Sequence, residues 1–232
     1  MLHFSHYSFD LWLTLIKSNP QFKAERTRIF HRDFNPAQKS IEEVARVFRF
    51  TDLMCNAINE RTGKNIDADE MYLMVISQIS DNKVDLHALD LDKLLRDMDD
   101  LLFCHPPVLY CSETVGVLDH LKERAGATLN ILSNTGFIKG KTLRRVLTQL
   151  GVHQYFDFQI YSDEVGLSKP DSGLFNLLLT SARNANKEKD IHLTDIMHVG
   201  DNPVTDIAGA RAAGMNSMLV NSNSVCISNI LN

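Results

Sequence analysis

Four short stretches carry side chains that could do chemistry together. Asp10 ends the apolar run of SFDLWLTL (residues 8–15). ILSNTG (131–136) offers Ser133, Asn134 and Thr135, GLSKPDSG (166–173) offers Lys169, and GDNPVTD (200–206) offers Asp201 and Asp206. A carboxylate can attack phosphorus to form an aspartyl-phosphate. Mg²⁺ takes hard oxygen ligands and usually keeps waters beside one or two carboxylates. Asp10, Asp201 and a backbone carbonyl from the turn after Asp10 would supply those ligands. Lys169 and the Ser133 hydroxyl would then hold the remaining phosphoryl oxygens, whose charge must be stabilised in the transition state. Asn134 and Thr14 flank these groups as candidate substrate contacts. Each stretch by itself is ordinary turn or cap composition; their joint order points to a phosphoryl site.

Such a site needs strand ends to hold it, and the surrounding pattern supplies them. Short apolar runs at 4–9, 128–132, 156–161, 195–200 and 216–220 alternate with helical periodicity at 112–125, 137–150, 173–185 and 204–213. That layout predicts a parallel sheet with crossover helices, in which functional residues gather beyond the carboxyl ends of strands. Residues 17–105 differ, with helical periodicity at 20–34, 41–61, 67–80 and 89–103 and no convincing strand. The expected fold is therefore α/β, a Rossmann-like core (1–16 and 106–232) with an all-helical cap domain inserted at 17–105. The polar tail NSNSVCISNILN is expected to fray at its end.

In this order, D10-L-W-L-T14, Ser133, Lys169-Pro170 and G200-D-N-P-V-T-D206 resemble the haloacid dehalogenase (HAD) superfamily, and the helical block sits where that family places a C1-type cap. The resemblance implies Asp10 as nucleophile and the main-chain carbonyl of Trp12 as a magnesium ligand. It implies that Ser133 hydrogen-bonds the phosphoryl group and that Lys169 stabilises its charge and that of Asp10. Asp201 would bind the metal, with Asp206 supporting it directly or through water. Phosphatases of this family usually carry a second aspartate two residues after the nucleophile, to protonate the leaving oxygen and then activate water. Here that position is Trp12, whose indole N–H is a donor only.

Three functions follow. The first is a Mg²⁺-dependent phosphohydrolase acting on a small phosphorylated metabolite, with its base supplied from elsewhere. The second is a 2-haloacid dehalogenase-like hydrolase, a branch with an aromatic residue at this position, an ester on its aspartate and no metal. The third is a catalytically impaired phosphate-binding or regulatory protein. The acidic pair of GDNPVTD favours the first over the second. Trp12 reads equally as a plug at the cap–core junction or as a wall of the pocket.

On a helix over 20–34, Phe22, Arg26, Ile29, Phe30 and Asp33 share a stripe. Arg26 then sits in an apolar face and needs a partner: Asp33, a neighbouring helix, or a substrate anion suited to its planar fork. His3, His6 and His198 lie in apparent strands and read as structural. Cys55, Cys104, Cys111 and Cys226 show no metal spacing and read as buried free thiols. A net charge of -5 gives no electrostatic reason for a nucleic-acid or membrane partner. No apolar run is long enough to span a bilayer, and the opening MLHFSHYSFD lacks a secretory pattern. The expectation is a cytoplasmic protein, monomer or homodimer.

Overall fold

The computed structural model describes residues 4–186 and 190–231; His3 lies outside them. Five parallel strands form one sheet: β1 (His6–Phe9), β4 (Thr128–Ser133), β5 (Phe158–Tyr161), β6 (Ile196–Gly200) and β7 (Asn216–Leu219), in the order β5-β4-β1-β6-β7. The chain leaves β1 for one side of the sheet, then crosses back to build the other. β1 is thus the switch strand, and the crevice beyond its carboxyl end is where such sheets bind ligands. The register aligns Phe9 with Ile131 of β4 and Val199 of β6. Asp10 follows directly, its N–H donating to the Val199 carbonyl at 2.9 Å.

Apolar side chains on both sheet faces fix that register. Phe9, Leu129, Ile131 and Val199 pack with Leu143 and Leu147 of α6 (Gly140–Gln149). Leu132, Ile160 and Ile196 pack with Leu174, Phe175 and Leu178 of α8 (Ser172–Ala185). The remaining helices beside the sheet are α5 (Thr114–Asp119), α7 (Ser162–Val165) and α9 (Gly209–Ala212).

Between β1 and β4 run α1 (Pro20–Asp33), α2 (Ile41–Thr62), α3 (Ala68–Ile79) and α4 (Leu91–Cys104). They close around their own core of Phe30, Val44, Phe48, Tyr72, Val75 and Ile76, into which Phe137 reaches from beyond β4. Ser40 and Glu43 form a reciprocal capping box that starts α2. Gly63 ends α2 in the left-handed conformation at φ 68.

Two expectations need correction. Residue 17 belongs to a strand: β2 (Ile16–Lys17) pairs antiparallel with β3 (Val108–Leu109), a two-stranded ribbon through which the chain enters and leaves the helical segment. Strands this short carry no period that could reveal them. The tail is also anchored rather than frayed. Ile227 is fully buried in the sheet core, and the Asn221 side-chain amide donates to the carbonyls of Leu13 (2.7 Å) and Thr14 (3.0 Å).

Candidate active site

The carboxyl ends of β1, β4 and β6 bring the four stretches together. Lys169 is 1% exposed, and its ammonium donates to Asp10 Oδ1 (2.8 Å), Asp206 Oδ1 (2.7 Å) and the Leu132 carbonyl (2.7 Å). All three lysine protons are therefore used. The other Asp10 oxygen accepts from the Thr14 hydroxyl at 3.0 Å. Asp206 is held further by the Asn202 N–H (2.9 Å) and by His198 Nε2 (3.3 Å), while His198 Nδ1 meets Ser8 Oγ at 3.0 Å. Gly200 makes room for this arrangement, because a Cβ there would collide with the Asp206 carboxyl group.

Charges in this cluster are unequal. Burial pushes Asp10 up to about 6, with the charges of Asp206 and Asp201 adding to it and Lys169 opposing. Asp201, half-buried, is also pushed to about 6 by burial and by Asp206. Asp206 is buried too, which alone would raise it, yet Lys169 and His198 hold it well below the usual carboxylate range. Burial works against the Lys169 charge, but Asp10 and Asp206 keep it protonated. Burial likewise keeps His198 neutral.

Asp10, Asp201 and Asp206 bring carboxylate oxygens within 4.8 Å of one another. Against one ammonium, three carboxylates leave two uncompensated negative charges. A hard divalent cation fits that donor set and that charge. Asp10 and Asp201 have oxygens to give. Asp206 has committed both of its own to Lys169, His198 and Asn202, so it fits a supporting position better than a direct ligand. The loop after Asp10 closes by bonds from Leu13 N to Ile16 O (2.7 Å) and from Ile16 N to Leu11 O (3.0 Å). None of these uses the Trp12 carbonyl.

The remaining candidates have partners within the protein. Ser133 is buried at the end of β4, its hydroxyl donating to the Asn134 carbonyl at 3.2 Å. Asn134 spends its amide on Lys169, donating to its carbonyl (2.9 Å) and accepting from its N–H (2.7 Å). Its side chain thus positions the lysine. Arg26 faces inward as its stripe predicted, but not onto Asp33, which is exposed and bonded to Arg32. The Arg26 guanidinium lies 4.0 Å from the ring centre of Phe48, 4.7 Å from Phe137 and 5.4 Å from Phe22. Its Nε is buried without a hydrogen-bond partner.

Arg26, Trp12, Asp52, Asn134 and Phe137 lie on the wall of a cavity of about 470 Å³ between the helical segment and the sheet. Trp12 is both plug and wall: it packs on the sheet core and also faces this cavity. His198 and Asn202 were not legible as site residues. His198 lies in a strand interior, and Asn202 serves Asp206 through its backbone N–H.

Residues 6–214 match the haloacid dehalogenase-like hydrolases. The chain belongs to that family. It is 35% identical over 124 residues to the human haloacid dehalogenase-like hydrolase domain-containing protein 3, covering 51% of this chain and 43% of that one. It is 35% identical over 111 residues to a glyceraldehyde 3-phosphate phosphatase of Methanothermobacter thermautotrophicus, covering 47% and 43%. The match spans less than half the length of these curated relatives. Among solved structures, the HAD-hydrolase YfnB of Bacillus subtilis bound to magnesium superposes with a TM-score of 0.71 at 16% identity, covering 97% of this chain and 92% of that one. The family is one of hydrolases, and phosphatases are among the chain's relatives. No helix among its described residues is long and apolar enough to cross a membrane.

Proposed function

We propose that this chain is a Mg²⁺-dependent phosphohydrolase of small phosphorylated metabolites, with Asp10 as its nucleophile. The observation that carries this reading is the buried Asp10–Lys169–Asp206 array facing Asp201, a carboxylate set held for attack and lacking only a cation's charge. Asp10, Asp201 and the Trp12 carbonyl would hold Mg²⁺, which when bound would offset the charge of the phosphoryl oxygens. Asp10 attacks phosphorus as the bond to the ester oxygen breaks. Lys169 and the Ser133 hydroxyl would turn from the Leu132 and Asn134 carbonyls to hold the phosphoryl oxygens through the transition state. Water then cleaves the aspartyl-phosphate.

Trp12 cannot move the proton in either step. Asp52, the carboxylate on the cavity wall, is our candidate for that work. Residues 17–105 act as a cap over the site, and Arg26 takes an anionic group of the substrate. The partner is thus a small molecule, neither nucleic acid nor membrane, and the setting is cytoplasmic, as monomer or homodimer.

The test is the time course of nitrophenolate release from p-nitrophenyl phosphate at high enzyme concentration. Sustained, Mg²⁺-dependent turnover that Asp10→Asn abolishes is the expected result. A burst of about one equivalent followed by a stall would mean that the intermediate forms but is not hydrolysed, favouring the impaired binder. Halide release from a 2-haloacid in the presence of a chelator would move the assignment to the dehalogenases.

A further inference from the structure

Cys111 and Cys226 stand 115 positions apart in sequence, yet their sulfurs meet at 3.2 Å. Both are half-buried free thiols, whereas Cys55 is enclosed in the helical segment and Cys104 is exposed elsewhere. Cys111 lies just past β3, where Tyr110 N–H still donates to the Leu15 carbonyl at 2.8 Å. Cys226 belongs to the tail segment anchored by Ile227. Each thiol also meets a polar side chain. Cys111 donates weakly to Asn221 Oδ1 (3.7 Å), and Cys226 faces the Glu113 carboxylate (3.7 Å). Asn221 is the residue whose amide holds the carbonyls of Leu13 and Thr14. Thr14 in turn hydrogen-bonds Asp10. A thiol pair is thereby wired, through one asparagine, to the loop that carries Asp10.

We propose that Cys111 and Cys226 are a reversible dithiol–disulfide site, oxidised by peroxides, whose state is transmitted to the loop after Asp10. The two thiols have distinct parts. Hydrogen bonds from Ser228 overcome the effect of burial and hold the Cys226 thiol below its ordinary value, while burial and Cys226 raise Cys111. Cys226 is the attacking sulfur, since the thiolate is the reactive form. Its thiolate attacks one peroxide oxygen, the O–O bond breaks, and a sulfenic acid and hydroxide result; the hydroxide takes up the proton that the Cys226 thiol released and leaves as water. Cys111 then attacks that sulfur, forming the S–S bond and breaking S–O. The released hydroxide takes the Cys111 proton and leaves as a second water. Two thiols lose two electrons and the peroxide gains them.

Closing the bond draws the sulfurs to about 2.05 Å and removes the S–H that Cys111 gives Asn221. The Asn221 contact to Leu13 and Thr14 must readjust. A zinc site is a weaker use of the same atoms. Among the described residues three donors, Cys111, Cys226 and Glu113, converge there, whereas structural zinc almost always takes four.

The experiment titrates the full chain with hydrogen peroxide and counts alkylatable thiols by mass. The four cysteines should fall to two, with a Cys111–Cys226 link in the non-reduced peptide map, and a dithiol reductant should restore them. Trp12 is the sole tryptophan of the chain and adjoins Leu13, so its fluorescence reads the loop whatever the protein's activity. Emission should shift on oxidation, return on reduction, and stay still in Cys226→Ser, which keeps the unoxidised protein's turnover. Four thiols surviving peroxide, or a link through Cys55 or Cys104, would overturn the proposal. So would zinc that accompanies the purified protein and shields both thiols. A Cys111–Cys226 disulfide that leaves Trp12 emission unchanged would overturn the coupling to the Asp10 loop.

Discussion

Lys169 is a charge sealed from solvent and committed to three acceptors, so its removal strands Asp10 and Asp206 together in a buried site. Breaking a buried pair by deleting one partner costs about 3–5 kcal/mol. Lys169→Met, which keeps the stem and loses the ammonium, should lower unfolding stability by that order, as read by denaturant midpoint, and abolish turnover. A loss under about 1 kcal/mol would mean that the array is looser than its distances imply.

The raised carboxylates give a second residue-level prediction. Asp10 and Asp201 sit near 6 in the folded protein against an ordinary 3.8. The metal-free fold therefore binds more protons than the unfolded chain between those values. Stability from these groups is full below about 4 and lost as pH rises through 6. His6, lowered to about 4 by burial, acts in the opposite sense: its contribution is present above 6.5 and lost as pH falls toward 4. That histidine term is common to the protein with and without Mg²⁺, whereas metal binding needs both aspartates ionised. The gain in Tm on adding Mg²⁺ should thus be small at pH 5 and larger at pH 7. An equal gain at both would remove these aspartates from the metal site.

Among the elements, the turn after β6 does the positioning. Gly200 ends the strand so that the Asp206 carboxyl can lie against the backbone, and Asn202 returns an N–H to it at 2.9 Å. Gly200→Ala places a methyl where that carboxyl stands. Overpacking of this kind costs about 1–3 kcal/mol, and displacement of Asp206 releases Lys169. The expected result is a destabilised protein whose remaining folded fraction turns over poorly. Unchanged stability and turnover would show that the turn can relax. At the opposite side of the lysine, the loop after β4 acts likewise, with Asn134 clamping the Lys169 backbone from both edges. The contact between helical segment and sheet also reaches the stretch that carries Lys169, since Ser168 N–H donates to the Gly63 carbonyl at 3.0 Å.

For the whole molecule, the cavity between helices and sheet joins the two parts, and Arg26 of α1 stacks there on Phe137 of the sheet side. Asp10, Lys169 and Asp201 are not on the cavity wall, whereas Trp12 is. Substrate that enters the cavity reaches Asp10 only if Trp12 or the helical segment shifts, and the β2–β3 ribbon is the connection about which such a shift would turn. A buried guanidinium without a hydrogen bond at Nε costs stability that its three aromatic neighbours only partly offset. Arg26→Met should therefore keep or raise Tm while raising KM for an anionic substrate. A fall in Tm with KM unchanged would make Arg26 a structural residue.

By itself the sequence pointed to the five strands, the helical segment and the residues Asp10, Lys169, Asp201 and Asp206 that the fold brings together. Apolar period and strand-end polarity are local properties, legible within a few residues. The tertiary structure alone decided that Arg26 meets aromatic rings while Asp33 turns to Arg32. It also gave Asn134 to the lysine backbone and set His198 behind Asp206. The ribbon at β2 and β3, the anchored tail and the meeting of Cys111 with Cys226 came from the same source. These pairings join positions up to 208 residues apart. They depend on strand order and crossover path, which no local spacing encodes.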